Sequence, residues 1–129
     1  MLAIDTNLVV RYLTGDHPRQ SARARKLIDD GDIFVSVTVM LEAEWVLRSV
    51  YEYVPEDVRK ALRAFAGLPG VVVEDETLVA VALDRVERGM DFADALHLGR
   101  ASHCEAMVTF DSRFIKAAKA AGVGTVRAV

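Results

Sequence analysis

A chain of 129 residues has the length of one ordinary domain, and 52% hydrophobic with 27% charged residues supplies a core while excluding disordered, collagen-like and low-complexity classes. Lys and Arg number 16 against 19 Asp and Glu, a net charge of −3 that argues against broad nonspecific adhesion to nucleic acid, although acids gathered at one site would leave the remaining surface more basic. The single cysteine, Cys104, excludes an internal disulfide and a cysteine-based zinc site. No run reaches the ~18 to 20 apolar residues of a membrane span, and Asp5 falls too early for a signal peptide, so a cytoplasmic, single-domain protein spanning residues 1–129 is expected.

In chain order, Met1 to Ile4 reads as a strand that stops at Asp5-Thr6-Asn7, and Leu8 to Leu13 reads as a short helix before Thr14-Gly15-Asp16. Pro18 suits a helix's first position, and Ala24, Leu27 and Ile28 form the apolar stripe of a helix that Gly31 ends. Ile33 to Val37 is a β-branched run expected as a buried strand, followed by a helix from Thr38 to about Tyr53 and another from Pro55 to near Gly67. Val71 to Val73 predicts a third strand. Helices follow over Glu76 to Arg88 and Asp91 to His103, then a fourth strand over Ala106 to Phe110. Asp111 or Ser112 caps a last helix through Ala121, with Gly122 at its end, and Thr125 to Val129 is the fifth strand. Short apolar strands joined by helical crossovers predict an α/β fold, with a parallel sheet covered by helices on both faces.

In such sheets ligands bind at the carboxyl ends of the strands, which makes position a filter for function. Asp5 ends the first strand, Glu42 lies early in the helix after the second, Asp94 lies in the first turn of a helix, and Asp111 ends the fourth strand. Four acids at one edge repel unless cations sit among them. Each has a plainer reading. Asp5 and Asp111 could simply cap the helices that follow, and Asp91 with Asp94 has the spacing of a cap and its partner.

Glu42 and Glu44 stand about 200° apart around their helix, so they cannot face one site. Glu44 has Arg48 four residues on and is expected as a surface ion pair, which leaves Glu42 as the acid on the more apolar side. His97 is expected as a partly buried structural histidine, and His17 and His103 as surface residues. Trp45, Tyr51 and Tyr53 could supply an interface, although core packing explains Trp45 equally well.

The blocks Ile4-Asp5-Thr6-Asn7, Arg11 to Asp16, Ser36 to Arg48, Asp91-Phe92-Ala93-Asp94-Ala95-Leu96-His97 and Val108-Thr109-Phe110-Asp111, in this order and spacing, resemble a PIN-domain protein of the VapC toxin type. The resemblance spans the whole chain. It implies a three-layer α/β/α fold around a five-stranded, mostly parallel sheet with about seven helices. It also implies metal-dependent cleavage of RNA by Asp5, Glu42, Asp94 and Asp111, a VapB-type antitoxin whose tail occupies the site, and a homodimer.

Oxygen ligands without a His or Cys cluster suit Mg²⁺ or Mn²⁺ better than zinc, and the expected products carry a 5′-phosphate and a 3′-hydroxyl. Thr6, Asn7 and Thr109 are expected to orient the carboxylates. Arg11 and Arg113, each a few residues beyond an acid, are expected to hold substrate phosphate, although Arg19, Arg23, Arg25, Lys26, Lys116 and Lys119 also populate these helices. Two other readings stay open: a PIN-domain nuclease that processes RNA without toxicity, and a carboxylate-rim phosphatase or phosphotransfer receiver. The receiver is disfavoured because no lysine ends the last strand.

Overall fold

The computed structural model describes residues 1–129, and the chain divides into two compact units, Met1–Glu76 and Thr77–Val129. The first unit runs β1 (Leu2–Ala3), α1 (Thr6–Thr14), α2 (Pro18–Asp29), β2 (Ile33–Val35), α3 (Val37–Ser49), α4 (Pro55–Ala66) and β3 (Val71–Val73). Its three strands are parallel in the order β1-β2-β3, with Leu2 opposite Ile33 and Ile33 opposite Val71. Parallel neighbours need crossovers, which α1 with α2 and α3 with α4 provide.

Helix boundaries follow local chemistry. The Asp5 carboxylate and the Ser36 hydroxyl cap α1 and α3, Pro18 and Pro55 occupy first-turn positions of α2 and α4, and Gly15 ends α1 at φ +64°. His17 does more than the surface role expected of it: its Nδ1 accepts the Gln20 N–H at 3.1 Å and caps α2, which requires a neutral ring nitrogen there. The core of the unit is Val9 and Val10 of α1, Ile33 and Val35 of β2, Met40 and Leu47 of α3, and Leu62 and Phe65 of α4, all fully buried. Where β2 and β3 begin, the backbones nearly touch. A Cβ on Gly70 would lie 2.5 Å from the Gly31 Cα, so only glycine fits there, and the Gly70 carbonyl accepts the Ile33 N–H at 2.8 Å.

The second unit comprises α5 (which starts at Glu76 and runs to Glu87), α6 (Phe92–Arg100), β4 (Met107–Thr109), α7 (Ser112–Ala120) and β5 (Val126–Ala128). The strands β4 and β5 pair in parallel, Met107 with Val126, and α7 crosses over between them and packs on both. Phe92, Ala95 and Leu98 of α6, Val79 and Leu83 of α5, and Phe114 and Ala118 of α7 are its buried apolar residues. Gly99 lets α6 lie close against the end of the Leu78 side chain, which a Cβ there would have to displace.

Five strands and seven helices match the expectation, but the strands form a three-stranded and a two-stranded sheet rather than one of five. The apolar runs overstate the strands. Of Met1 to Ile4 only Leu2–Ala3 pairs, and of Ala106 to Phe110 only Met107–Thr109 does. A strand of two or three residues offers few ladder bonds, and Leu2 and Val108 stay exposed at 57% and 50%. The helices read as reaching Tyr53 and His103 stop at Ser49 and Arg100, where exposed turns follow.

Candidate active site

In the first unit, α1 and α3 leave the carboxyl ends of adjacent parallel strands and pack against each other. Asp5 stands at the start of α1, exposed, with its Oδ1 accepting the Leu8 N–H at 3.2 Å. The capping reading of Asp5 is therefore correct, and the bond uses only one of its two carboxylate oxygens. Thr6 is buried and Asn7 exposed beside it. At the start of α3, the Ser36 hydroxyl accepts the Val39 N–H at 3.2 Å and the Glu74 carboxylate accepts the Val37 N–H at 3.0 Å. Glu74 went unrecognised because its partner lies 37 residues away in sequence.

The faces expected for Glu42 and Glu44 are reversed. The buried stripe of α3 is Met40, Ala43, Glu44 and Leu47, whereas Thr38, Glu42, Trp45 and Ser49 form its exposed stripe. Glu44 is 7% exposed and takes a two-point ion pair from Arg48, Nε to Oε2 at 2.9 Å and Nη2 to Oε1 at 3.3 Å. The spacing to Arg48 predicted the pair, and the run Met40, Ala43, Leu47 could have shown that it sits among core residues. Glu42 is thus open to solvent, and Trp45 is 54% exposed rather than packed in the core.

Arg11 is not free to bind substrate in the form expected of it. Its Nε donates to Gln20 Oε1 at 2.8 Å, and its Nη1 donates to Asp16 at 3.2 Å and to the Tyr51 hydroxyl at 2.8 Å. Tyr51 in turn donates to Asp16 Oδ2 at 2.6 Å. The Tyr51 hydrogen bond, more than Thr14 and Arg11, holds the Asp16 carboxyl below its ordinary range, and the same bond raises the Tyr51 phenol. A groove of about 560 Å³ opens beside Asp5 between α1 and α2, with Asn7, Arg11, Gln20, Arg23 and Lys26 among its polar walls.

In the second unit, Asp91 caps α6 by accepting the Asp94 N–H at 3.2 Å, as its spacing predicted. Asp94 is half-buried in the first turn. Its carboxyl is raised by burial first, then by the negative charges of Asp91 and Asp111, with His97 opposing them. Asp111 caps α7, accepting from the Arg113 N–H at 2.9 Å and the Phe114 N–H at 3.4 Å. The Thr109 hydroxyl accepts the Asp111 N–H at 3.0 Å, so Thr109 positions the backbone of this acid rather than its carboxylate. Arg113 is exposed, and so is His97, which corrects its expected partial burial: Ala95, Leu96 and Leu98 take the core-facing positions of α6.

Neither unit by itself gathers three or more His, Cys, Asp or Glu side chains around a point fit for an ion. The donor chemistry nonetheless fits a hard divalent cation. Asp94 feels repulsion from two carboxylates that His97 opposes, and a cation would relieve it further.

An α/β protein with acids placed at the starts of helices that follow parallel strands belongs, by its architecture, among those that bind ligands at a strand's carboxyl end. A family model for the PIN domain matches residues 2–120, and the chain belongs to that family. PIN domains are generally metal-dependent nucleases that act on RNA. No curated protein matches the chain. No helix is long and apolar enough to cross a membrane.

Proposed function

We propose that the chain is a divalent-metal-dependent endoribonuclease of the VapC toxin type, acting as one domain over residues 1–129 in the cytoplasm. Its carboxylates Asp5, Glu42, Asp94 and Asp111 would hold Mg²⁺ or Mn²⁺. The observation that carries this reading is the state of Asp94, a half-buried acid raised first by burial and then by the neighbouring Asp91 and Asp111, in a chain that belongs to a nuclease family. Half-buried acids pushed up by neighbouring charge cluster at functional sites.

When bound, a divalent cation supplies Lewis acidity at the scissile phosphate. The chain's own groups set the acids in place beforehand. Asp5 is fixed by the Leu8 N–H and Asp111 by two N–H groups of α7, while Thr109 fixes the Asp111 backbone. Thr6 and Asn7 adjoin Asp5 and serve to orient it. Arg113 lies exposed two residues from Asp111 and would meet substrate phosphate, whereas the contribution of Arg11 is to hold Asp16 and the groove-lining Gln20.

A VapB-type antitoxin would inhibit by covering these acids, most directly with a basic side chain that pairs with them. The exposed Trp45 and Tyr53 support a homodimer contact. Incubation of the purified chain with cellular RNA tests the function. Cleavage should appear with Mg²⁺ or Mn²⁺ and stop in EDTA. Undiminished cleavage in EDTA removes the metal, and no cleavage with either ion removes the nuclease.

A further inference from the structure

The groove between α1 and α2 begins at Asp5, and its cations differ in how they are held. Arg11 is matched within the protein by Asp16. Lys26 leans on Asp30 at 3.4 Å with side chains 82% and 68% exposed, a pair too solvated to hold the ammonium firmly. Arg23 is exposed on the same wall and no carboxylate holds it. Leu8, Ala24 and Leu27 add apolar surface to the floor, and Gln20 adds an amide.

We propose that this groove is the path of a single RNA strand beside the cleavage site, with Arg23 the chief phosphate anchor, Lys26 its second, and Leu8 and Leu27 supporting the ribose or base between phosphates. The inference deepens the ribonuclease reading and rests on it. A free guanidinium above apolar side chains matches a nucleotide, which alternates a phosphate with a flat or hydrocarbon surface. An acidic peptide carries the same negative charge but sets no ribose or base between its charges for Leu8 and Leu27 to support, so it fits less well. Contacts of this kind position a strand without reading its sequence, so their loss weakens all sequences alike. Arg23 takes the role that sequence position had given to Arg11.

The test compares the full-length wild type with Arg23→Ala, Arg23→Lys and Arg25→Ala. Arg25 lies two residues on, about 200° around α2, and is outside the groove. Binding of a short fluorescein-labelled single-stranded RNA is followed by anisotropy in EDTA across a KCl series, and initial cleavage rates are measured in Mg²⁺. Arg23→Ala should reduce the magnitude of the salt slope by about 0.7, the loss of one phosphate contact. It should raise KM about tenfold with kcat within about twofold. Arg23→Lys should recover part of both, and Arg25→Ala should match the wild type. An unchanged slope and KM in Arg23→Ala, or an equal loss in Arg25→Ala, overturns the groove as the strand's path. So does an Arg23→Ala variant that loses only its grip on an inhibitory protein. A wild type that cleaves no RNA defeats the ribonuclease reading and this inference with it, whereas a cleaving wild type with an unaffected Arg23→Ala variant defeats the groove alone.

Discussion

Arg48 closes two guanidinium nitrogens on the carboxylate of Glu44, at 2.9 and 3.3 Å, and Glu44 is 7% exposed on the core stripe of α3. Removing one partner of such a pair strands the other, a larger loss than breaking an exposed helical pair. Arg48→Met should therefore destabilise the protein by about 2 to 3 kcal/mol in urea unfolding, where an exposed pair of this spacing would cost about 0.3 to 0.5 kcal/mol. The variant that remains folded should cleave RNA at close to the wild-type rate. A loss under about 0.5 kcal/mol would mean that water screens the pair after all.

Asp94 makes the opposite trade. An acid whose folded value is raised lets the native state hold its proton more tightly than the unfolded chain does. Its contribution to stability is therefore present at low pH and lost as pH rises through the raised value. At neutral pH the ionised Asp94 costs stability, so in metal-free buffer Asp94→Asn should raise Tm by a few degrees while lowering cleavage by at least about a hundredfold. Calorimetry at pH 7 in EDTA checks the first and RNA cleavage the second. A lower Tm would show that the carboxylate is a stabilising element.

The Asp16–Tyr51 bond, at 2.6 Å, joins the end of α1 to the segment after α3. The lowered Asp16 value contributes stability above the ordinary range near 3.8 and loses it as pH falls through the depressed value. The raised Tyr51 contributes stability below 10.0 and loses it as pH climbs through the raised value. Tyr51→Phe should lower Tm by a few degrees at pH 7 and flatten the alkaline limb of the stability curve. If the alkaline limb stays as steep as in the wild type, the phenol is not the group that titrates there.

Much of this architecture is legible in the residues. Val71 to Val73, the caps at Asp5, Asp91 and Asp111, and the first-turn prolines at 18 and 55 are local signals, and each element they announce is present, whereas Ser36, read as part of a strand over Ile33 to Val37, instead caps α3. What local signals do not carry is pairing at a distance. The division into three and two strands depends on which ladders two- or three-residue strands can form. The engagement of Arg11 depends on Tyr51, 40 residues away, and the second cap of α3 on Glu74, 37 residues away. The reversed faces of Glu42 and Glu44 have another cause. An i,i+4 partner alone does not mark a surface pair, because the apolar stripe of the same helix runs through Glu44.

Asp5 carries the central claim, because it both caps α1 and is assigned to the metal. Asparagine caps a helix about as well as aspartate but brings no charge to a cation, so Asp5→Asn separates the two roles. The decisive measurement is the initial rate of RNA cleavage in Mg²⁺ by Asp5→Asn at a matched concentration of folded protein. The account predicts a fall of at least about a hundredfold with Tm essentially unchanged. Cleavage at the wild-type rate would contradict it and reduce Asp5 to a helix cap.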